Sequence, residues 1–400
     1  MTPPFLSIVG IGEDGPSGLS VTASALLAQA SLVIGGARHL ALAESLITAD
    51  RITWPNPIAD AVPLLHSRKV APVVALASGD PFCFGVGPML AAAFPGQWHC
   101  LPQPSCLSLA CAKLGWALQD CETLSFCGRP LARLASVVQP GMRLLALSED
   151  ANTPGRAAAL LCRLGFGASE IIVLEALGGP NERVRSVRAD CFDLADLHPL
   201  NLMAITLTSP LNAIPLCQGL DDGLFQHDGQ ITKREIRAAT LSALAPFRGG
   251  VLWDIGAGSG SISIEWMLRH PTNRAFAVER HTGRCATIAG NAQRLGVPEL
   301  AVVTGTAPGA LRDLPPPDAV FIGGGGTAPG VVELAWKSLR SGGRMVANAV
   351  TIETEGVLFD AHRSHGGSLT RLGVERLETI GGLHGFRPAM TVTQWAATRP

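Results

Sequence analysis

A glycine-rich loop after an apolar run is the feature of this sequence with the clearest chemical meaning. The run Val251–Ile255, which predicts a buried strand, leads into Gly256, Gly258 and Gly260. Because glycine has no Cβ atom, a ligand can lie against the backbone of such a loop and against the N-terminus of the next helix. The spacing is Gly-x-Gly-x-Gly, not the Gly-x-Gly-x-x-Gly of a pyrophosphate turn. The loop therefore predicts a small-molecule site.

Two acidic residues accompany this loop. Asp254 lies within the first apolar run, and Glu279 stands at the end of the next one, Arg274–Val278. A carboxylate at the end of the second strand can accept hydrogen bonds from both ribose hydroxyls of an adenosine moiety. We therefore predict an adenosine-containing ligand. An ordinary dinucleotide turn that holds NAD, or a loop without any ligand, is the alternative.

Together these residues resemble the glycine-rich site of the class I S-adenosylmethionine (SAM) methyltransferases. The resemblance implies that Asp254 lies near the methionine amine, that the glycines lie beneath the methionine and ribose, and that Glu279 binds the ribose. Gly305–Ala307 matches the place where these enzymes hold adenine. The cofactor residues predicted in this half of the chain are Thr232, Asp254, Gly256, Ala257, Gly258, Ser259, Gly260, Glu279, Thr306 and Ala307.

A polar segment precedes the glycine loop. Thr232 and Glu235 have the spacing of a capping box that starts a helix. The same segment places Thr232, and with it Lys233, beside the predicted cofactor, since a cap and a ligand role can coexist. Arg234 and Arg237 are candidates for binding substrate carboxylates, because a guanidinium can donate two parallel hydrogen bonds to one carboxylate.

Four consecutive glycines, Gly323–Gly326, follow the apolar run Ala319–Ile322. Such a run costs backbone entropy and occurs where a chain must bend or must allow a close approach. In the methyltransferase interpretation, Gly323 and Gly324 border the pocket of the methyl acceptor. A plain flexible turn is the alternative.

The first half of the chain contains a second set of motifs. Gly10-x-Gly12-x-x-Gly15 follows the apolar run Phe5–Val9, but Pro16 interrupts the expected helix, so this motif alone predicts little. Its companions are more informative. They are Ser78-Gly79-Asp80-Pro81 after the run Val73–Ala77, Pro104-Ser105-Cys106, and Leu124-Ser125-Phe126-Cys127-Gly128-Arg129-Pro130.

This combination resembles the class III, tetrapyrrole-type SAM methyltransferases, which bind SAM folded in a cleft between two α/β lobes. Glu175–Arg183 fits the second lobe of that family. For Gly79–Pro81 alone, a tight turn is the alternative. The cofactor residues that the resemblance implies are Gly10, Gly79, Asp80, Pro81, Phe84 and Ser105.

The same resemblance concerns the substrate. Arg129, Arg183 and Arg185 are candidates for binding acidic side arms. Cys127 stands where related sequences usually carry His, so a proton role of that His would here fall to Cys127 or be absent.

Apolar runs alternate with helical segments in both halves of the chain, which predicts an α/β fold. Continuous apolar runs, such as Val73–Ala77 and Leu202–Leu207, are typical of strands buried on both faces of a parallel sheet. We predict a two-lobed tetrapyrrole-methylase domain at 1–208, a linker at 209–228, and a Rossmann-like class I methyltransferase domain at 229–400.

Composition excludes several other classes. With 400 residues, a net charge of -1 and 16% charged residues, the chain lacks the broad basic face of a nucleic-acid binder. The mean hydropathy of +0.29 argues against disorder. We expect neither a membrane span nor a signal peptide. The ten cysteines are scattered, which favours reduced thiols in the cytosol. His362 and His365 are weak metal ligands by spacing, so no metal is predicted.

The order of the two resemblances is similar to that in the fused, decarboxylating precorrin methyltransferases of cobalamin biosynthesis. The likeness implies a bifunctional enzyme with one SAM per domain and a precorrin, a tetrapyrrole, as substrate. The first domain would methylate meso carbon 5. The second would methylate meso carbon 15 and remove carbon dioxide from the ring C acetate arm. Both family types usually assemble, so we expect a homo-oligomer. No catalytic acid or base is assigned.

Three alternatives remain at this stage. One is a SAM-dependent methyltransferase that acts on tRNA or protein. Another is an NAD-dependent oxidoreductase, suggested by Gly10, Gly12 and Gly15. The third is a SAM-binding sensor without catalysis. Methyl transfer to tRNA would support the first alternative. Binding of NADH without SAM would support the second, and SAM binding without turnover would support the third.

Overall fold

The computed structural model of the chain describes residues 5–67, 72–208 and 213–400. The chain divides into two compact units. Unit 1 comprises Met1–Arg129 and Pro140–Asn212, and unit 2 comprises Pro130–Gln139 and Ala213–Pro400. Over the described ranges, no helix has both the length and the apolar character that crossing a bilayer requires.

Unit 1 begins with a parallel five-stranded sheet in the order β3-β2-β4-β1-β5. The strands β1, β2 and β4 are almost entirely buried because apolar side chains cover both faces of the sheet. The strands are β1 (Leu6–Ile11), β2 (Leu32–Gly35), β3 (Asp50–Thr53), β4 (Val73–Ser78) and β5 (Trp98–Leu101). The helices are α1 (Val21–Gln29), α2 (Ala37–Leu42), α3 (Ala61–Ser67), α4 (Gly87–Ala93) and α5 (Cys106–Leu114).

A second five-stranded sheet in unit 1 has the order β6-β7-β10-β8-β9. The sheet is mixed, because β10 is antiparallel to both of its neighbours. The prediction that the apolar run Leu202–Leu207 forms a strand of a parallel sheet was therefore wrong. A continuous apolar run reports burial on both faces and not strand direction. The strands are β6 (Cys121–Ser125), β7 (Arg143–Leu147), β8 (Glu170–Glu175), β9 (Arg183–Arg188) and β10 (Asn201–Thr206). The helix α7 (Thr153–Arg163) also belongs to unit 1, whereas α6 (Leu134–Val137) belongs to unit 2.

Unit 2 is built on a seven-stranded sheet in the order β13-β12-β11-β14-β15-β19-β16, with a separate two-stranded sheet β17-β18. The first five strands are parallel, and β19 is antiparallel to both β15 and β16. The strands are β11 (Val251–Ile255), β12 (Arg274–Glu279), β13 (Ala301–Thr304), β14 (Ala319–Ile322), β15 (Arg344–Ala349), β16 (Ser368–Leu372), β17 (Glu375–Ile380), β18 (Leu383–Pro388) and β19 (Val392–Thr398). The helices are α8 (Arg234–Leu244), α9 (Ser261–Leu268), α10 (Thr282–Arg294), α11 (Val331–Ser338) and α12 (Ile352–His365).

These two units confirm the predicted α/β class, with a two-lobed first domain and a Rossmann-like second domain. One local prediction was wrong. The helix α8 begins at Arg234, and its N-cap is Lys233, which makes no side-chain capping bond. Thr232 therefore does not cap the helix.

The segment predicted to be a linker is partly packed. Residues 209–212 lie outside the described residues, but Leu220 and Phe225 are buried in the core of unit 2. A buried carboxylate anchors the segment, because Glu265 accepts hydrogen bonds from the backbone N–H groups of Gly219 (2.8 Å) and Leu220 (2.9 Å). The boundary between the two domains stays a prediction.

Arg237 completes this anchor. Its side chain is fully buried and donates to Glu265 (Nε to Oε1, 2.5 Å) and to Asp222 (Nη1 to Oδ1, 3.0 Å). The same guanidinium donates to the carbonyl oxygens of Leu220 and Thr232. Four of its five N–H groups donate inside the protein and the side chain has no exposed surface, so Arg237 is a structural residue and not a substrate ligand.

We predict that Arg237→Met lowers the free energy of unfolding by about 3–5 kcal/mol, because it leaves the Glu265 carboxylate buried without its cation. Denaturant titration measures the change. Arg363→Met is the matched control: Arg363 pairs with Asp360, both side chains are exposed, and loss of the pair costs about 1 kcal/mol or less. Equal losses for the two variants would contradict a structural role of Arg237.

Candidate functional site

Unit 2 contains a cavity of about 810 Å³ at the carboxyl ends of its parallel strands. Ligands of open α/β sheets bind at this edge. The cavity combines the glycine loop after β11, the end of β12, the segment after β13 and the four-glycine loop after β14. Of the predicted residues, those that line it are Thr232, Gly256, Ala257, Gly258, Glu279, Thr306, Ala307, Gly323 and Gly324.

The glycine loop is a position where side chains do not fit. Gly256, Gly258 and Gly260 have φ angles of 73°, 60° and 77°, in the left-handed region that favours glycine. A Cβ atom on Gly256 would lie 2.7 Å from the carbonyl oxygen of Gly324, and one on Gly260 would lie 2.8 Å from Ile288. The two glycine-rich loops therefore pack backbone to backbone, which leaves the cavity floor free of side chains.

Glu279 is held rigidly at the end of β12. Its Oε2 accepts a hydrogen bond from the N–H of Gly258 at 3.0 Å, and its Oε1 accepts one from the N–H of His281 at 2.9 Å. The side chain is buried and also lines the cavity. Each carboxylate oxygen has a further lone pair, so the group can accept from a diol without moving.

Asp254 lies beneath the loop and is buried. Its Oδ2 accepts from the N–H and Oγ of Ser263 at 3.2 Å and 2.7 Å, whereas its Oδ1 has no partner. Burial raises the pKa of Asp254 to about 6, although the bonds from Ser263 oppose this; the charge of Glu279 adds to the rise. A buried carboxylate oxygen without a donor is where a ligand ammonium or hydroxyl group fits.

These observations fit SAM, which presents an ammonium group, a ribose diol and an adenine. Glu279, the bare glycine floor and Gly305–Ala307 offer matching groups on one cavity, whereas Asp254 lies buried beneath the glycine loop and is not among the lining residues. Ser259 does not line this cavity but a smaller neighbouring one of about 500 Å³, and its Oγ has no partner. Gly260 forms the N-cap of α9 and lines neither.

The two arginines predicted to bind substrate carboxylates in unit 2 do not line the cavity, whereas Lys233, predicted to lie beside the cofactor, does. Arg234 is exposed and does not line it, and Arg237 is buried as described above. The cationic residues that do line it are Lys233, Arg280, Arg284 and Arg376. Glu279 is the one carboxylate among the described lining residues, so cations outnumber carboxylates on the cavity wall, although Lys233, Arg284 and Arg376 each pair with a carboxylate outside it. Sequence position could have suggested Arg280, which follows Glu279, whereas nothing in the sequence links Arg376 of β17 to the glycine loop.

In unit 1, several predicted residues converge at the carboxyl edge of the first sheet. A Cβ atom on Gly10 would lie only 1.8 Å from the carbonyl oxygen of Gly79, and one on Gly79 would lie 2.6 Å from that of Pro104. Ser105 caps α5 by accepting from the N–H of Ser108 at 3.1 Å. The loops after β1, β4 and β5 thus meet backbone to backbone.

The Gly-Asp-Pro loop is internally braced. Asp80 Oδ1 accepts from the N–H of Phe82 at 2.8 Å, while Pro81 is buried. Phe84 adopts a φ of 54° and is 44% exposed. Its ring lies 5.5 Å from the guanidinium carbon of Arg129, a cation–π distance. Arg129 is therefore next to the predicted cofactor loop.

Arg183 and Arg185 both pair with the fully buried Glu175, at 2.7 Å and 2.9 Å, and both donate to backbone carbonyls of the 195–196 turn. The two arginines thus neutralise a buried carboxylate. Arg183 makes these bonds through Nη2 and is about half exposed, so its substrate role stays a prediction. Cys127 is exposed, and its Sγ donates to the carbonyl oxygen of Ser148 at 3.3 Å.

Comparison with known proteins supports the predicted family of each half of the chain. A model of the tetrapyrrole (corrin/porphyrin) methylases matches residues 6–191, and a model of a precorrin methyltransferase domain matches residues 223–399. A precorrin-6Y C(5,15)-methyltransferase [decarboxylating] from a Sinorhizobium species is 52% identical over 399 residues, which is 99% of this chain and 97% of that protein.

Two further relatives match parts of the chain. A cobalt-precorrin-6B C(15)-methyltransferase (decarboxylating) from Salmonella typhimurium is 33% identical over 163 residues, 40% of this chain and 83% of that protein. The crystal structure of the C-terminal domain of precorrin-6Y C5,15-methyltransferase from Rhodobacter capsulatus is 45% identical and covers 46% of this chain and 100% of that chain, with a TM-score of 0.44.

The fold and the matches define a SAM-dependent C-methyltransferase with two methyltransferase domains. The oxidoreductase alternative was therefore wrong. Gly15 opens a short 3-10 turn and not the α-helix of a dinucleotide site. The chain belongs to the precorrin-6Y C(5,15)-methyltransferase (decarboxylating) family.

We predict that Asp254 makes stability depend on pH. Its pKa is about 6 in the folded protein and about 3.9 in an unfolded chain, so the folded state binds the proton more tightly. The free energy of unfolding of the wild-type protein, taken relative to that of Asp254→Asn, should therefore fall by about 2–3 kcal/mol as the pH rises from about 4 to about 6 without SAM. Denaturant titration of both proteins across this range gives that difference, in which the contributions of other titrating groups such as His39 cancel.

Asp360→Asn is the matched control for this measurement, because Asp360 is an exposed partner of Arg363 and its variant should keep the wild-type profile. Parallel profiles for Asp254→Asn and the wild-type protein would show that the buried carboxylate is not the source of the pH dependence.

Proposed function

We propose that the protein transfers two methyl groups from SAM to a precorrin, at meso carbons 5 and 15, and removes carbon dioxide from the ring C acetate arm. The observation that carries the proposal is a pair of glycine-lined strand-end sites, one in each unit. The name of the Sinorhizobium relative, which aligns over nearly the whole chain, supports the substrate and the reaction. The name of this relative favours a precorrin, and not RNA or protein, as the proposed substrate.

We assign carbon 5 to unit 1, and carbon 15 with the decarboxylation to unit 2. The Salmonella relative supports the pairing of the last two activities, because its name joins them in a protein that corresponds to 40% of this chain. A protein of that extent has room for one domain of the kind seen here. The assignment of carbon 5 to unit 1 then follows by difference.

In unit 2, the chain binds and orients the reactants. SAM, when bound, supplies an activated methyl group. Glu279 and the glycine loop would hold the donor on the cavity floor, with Asp254 buried beneath that loop. The cations Lys233 and Arg376, which line the cavity, would attract the substrate carboxylates. Orientation of this kind lowers a barrier by about 7–11 kcal/mol in favourable cases.

Decarboxylation requires a carboxylate that is moved out of water while the macrocycle accepts the electron pair of the broken bond. The cavity walls include the apolar side chains Ile255, Phe321 and Val392, which exclude water from an arm directed towards them. The bond between the CH2 carbon of the arm and its carboxylate carbon breaks, carbon dioxide leaves, and the electron pair passes into the macrocycle. A proton from the solvent then converts the arm into a methyl group. No general acid or base of the chain is assigned to this step.

In unit 1, we propose a second SAM at the edge where Gly10, Gly79 and Ser105 meet. The close contact of Gly10 with Gly79 provides a floor without side chains, as Gly256 and Gly324 do in unit 2. Arg129, placed on Phe84, is the nearest predicted cation and is proposed to meet an acidic arm.

Single glycine variants of the full chain test this assignment. Gly256→Ala should abolish SAM binding in unit 2, because the new Cβ would lie 2.7 Å from the Gly324 backbone. Gly10→Ala should do the same in unit 1, where the contact would be 1.8 Å. Calorimetry should find two SAM sites in the wild-type protein and one in each variant, and mass spectrometry of the product should show which carbon keeps its methyl group.

Two other glycines serve as controls. Gly309 has open space around it, and a Cβ on Gly155 would make only an ordinary 3.5 Å contact with Phe192, so both alanine variants should behave as the wild-type protein. The methylation that remains in each test variant reports that the other unit is folded. Loss of the carbon 5 methyl in Gly256→Ala alone would reverse the assignment, and one site in the wild-type protein would refute one SAM per unit.

We propose the cytosol as the compartment and a homo-oligomer as the working form. All ten cysteines, each in the described part of the chain, are free thiols, in keeping with a reducing compartment. The hairpin β17–β18 exposes Leu377, Leu383 and Phe386, an apolar surface of the kind that a second copy covers. Analytical ultracentrifugation measures the oligomeric state directly.

A further inference from the structure

A polar cluster of unit 1 lies outside the predicted cofactor residues. It contains Glu13 from the loop after β1, Arg38 and His39 from the first turns of α2, and Ser78 from the end of β4. These elements share the carboxyl edge of one parallel sheet, although the residues are far apart in sequence. This is the edge at which open α/β sheets bind their ligands.

The contacts within the cluster fix the state of the imidazole. Nη2 of Arg38 donates to Nε2 of His39 and to Oγ of Ser78, each at 2.9 Å. Ser78 Oγ also lies 2.8 Å from the same Nε2. A guanidinium only donates, so Nε2 must accept and the ring proton lies on Nδ1. That Nδ1 is buried and has no hydrogen-bond partner.

The cluster, which we call the Arg38 cluster, has more donors than acceptors. Arg38, Ser78 and the Nδ1–H of His39 all offer hydrogen atoms, and two of them compete for the single lone pair of Nε2. Glu13, which pairs with Arg38, is the one carboxylate of the cluster. Burial, and then the charge of Arg38, lowers the pKa of His39 to about 4, so Arg38 supplies the positive charge at neutral pH. An excess of donors around one cation favours an anionic, oxygen-bearing ligand.

The position of the cluster relates it to the proposed unit 1 site. Ser78 directly precedes Gly79, and Gly79 is the residue against which Gly10 packs. A Cβ on Gly179, in the loop after β8, would lie 2.6 Å from the Cβ of Glu13, so Glu13 stands where the two sheets of unit 1 meet. Arg38 and Ser78 both retain solvent access.

We propose that Arg38, His39 and Ser78 bind a carboxylate side arm of the tetrapyrrole in unit 1, and that Glu13 occupies this position in the free protein as an internal carboxylate. The proposal rests on the proposed function, which supplies a substrate with acetate and propionate arms. It names a further cation for unit 1, in addition to the predicted Arg129 and Arg183.

The full-length protein tests this with two variants that should act in opposite directions. Arg38→Met removes the cation and should raise KM for the precorrin in the carbon 5 methylation by about 10- to 100-fold, with KM for SAM unchanged. Glu13→Gln weakens the internal competitor and should lower the same KM several-fold. Mass spectrometry of the methylated product gives the rates, and the carbon 15 methylation serves as an internal reference.

Arg51→Met is the matched control, because Arg51 also pairs with a glutamate in unit 1, is similarly exposed and lies outside the cluster. It should leave KM unchanged. If Arg38→Met does not fold, Ser78→Ala provides a second test, because it should raise the same KM by a smaller factor. A purely structural cluster would give lower stability in both charge variants with no opposite movement of KM, and that result would overturn the inference.

The test also separates this inference from the function on which it rests. If the wild-type protein methylates carbon 5 and the variants keep its KM, only the carboxylate site is wrong. If the wild-type protein adds no methyl group to the precorrin, the proposed function is wrong and the inference falls with it.

Discussion

The close approach of backbone to backbone at the strand ends is the constraint on which both candidate sites depend. In unit 2 the loop after β11 lies so near the loop after β14 that a Cβ on Gly256 would meet the Gly324 backbone at 2.7 Å. In unit 1 the corresponding contact, Gly10 with Gly79, would be 1.8 Å. Only glycine permits such contacts. These contacts leave the ends of neighbouring strands free of side chains. The polar groups that face a ligand therefore come from residues beside these glycines.

Two buried charged groups of unit 2 show how differently the same burial can be used. Arg237 is surrounded by acceptors, and its charge stabilises the packed segment that contains Leu220. Asp254 lacks a cation and leaves one oxygen without a donor. Such a group destabilises the free protein, and a ligand that supplies the missing donor recovers that free energy on binding. The contrast is between a buried charge that is satisfied within the protein and one that leaves an oxygen without a donor, which is what the proposed ligand role of Asp254 requires.

The sequence predicted the strands and glycine loops well, because these follow from local patterns. Val251–Ile255 and Ala319–Ile322 were located to the residue, and Glu279 could be placed at a strand end from the apolar run before it. Arginine side chains were a different case. Whether Arg237 or Arg376 faces the cavity depends on which distant segment lies beside it, and the contact between β17 and α8 spans 141 residues. The antiparallel direction of β10 could not be predicted from the sequence either, since a strand buried on both faces gives the same apolar run in either direction.

The exposure of the carboxylate partner separates these arginines by function. Glu265 and Glu175 are fully buried, so breaking their pairs with Arg237 and Arg183 would strand a charge in a low-dielectric interior. Glu235 and Asp228, the partners of Arg376 and Arg284, are about half exposed, and such pairs contribute only about 0–1 kcal/mol. A substrate with several carboxylates can exchange with these partners at little cost. Arginines near the cavity with solvated partners are therefore the ones available to a polyanionic ligand, whereas sequence spacing alone treats all of them alike.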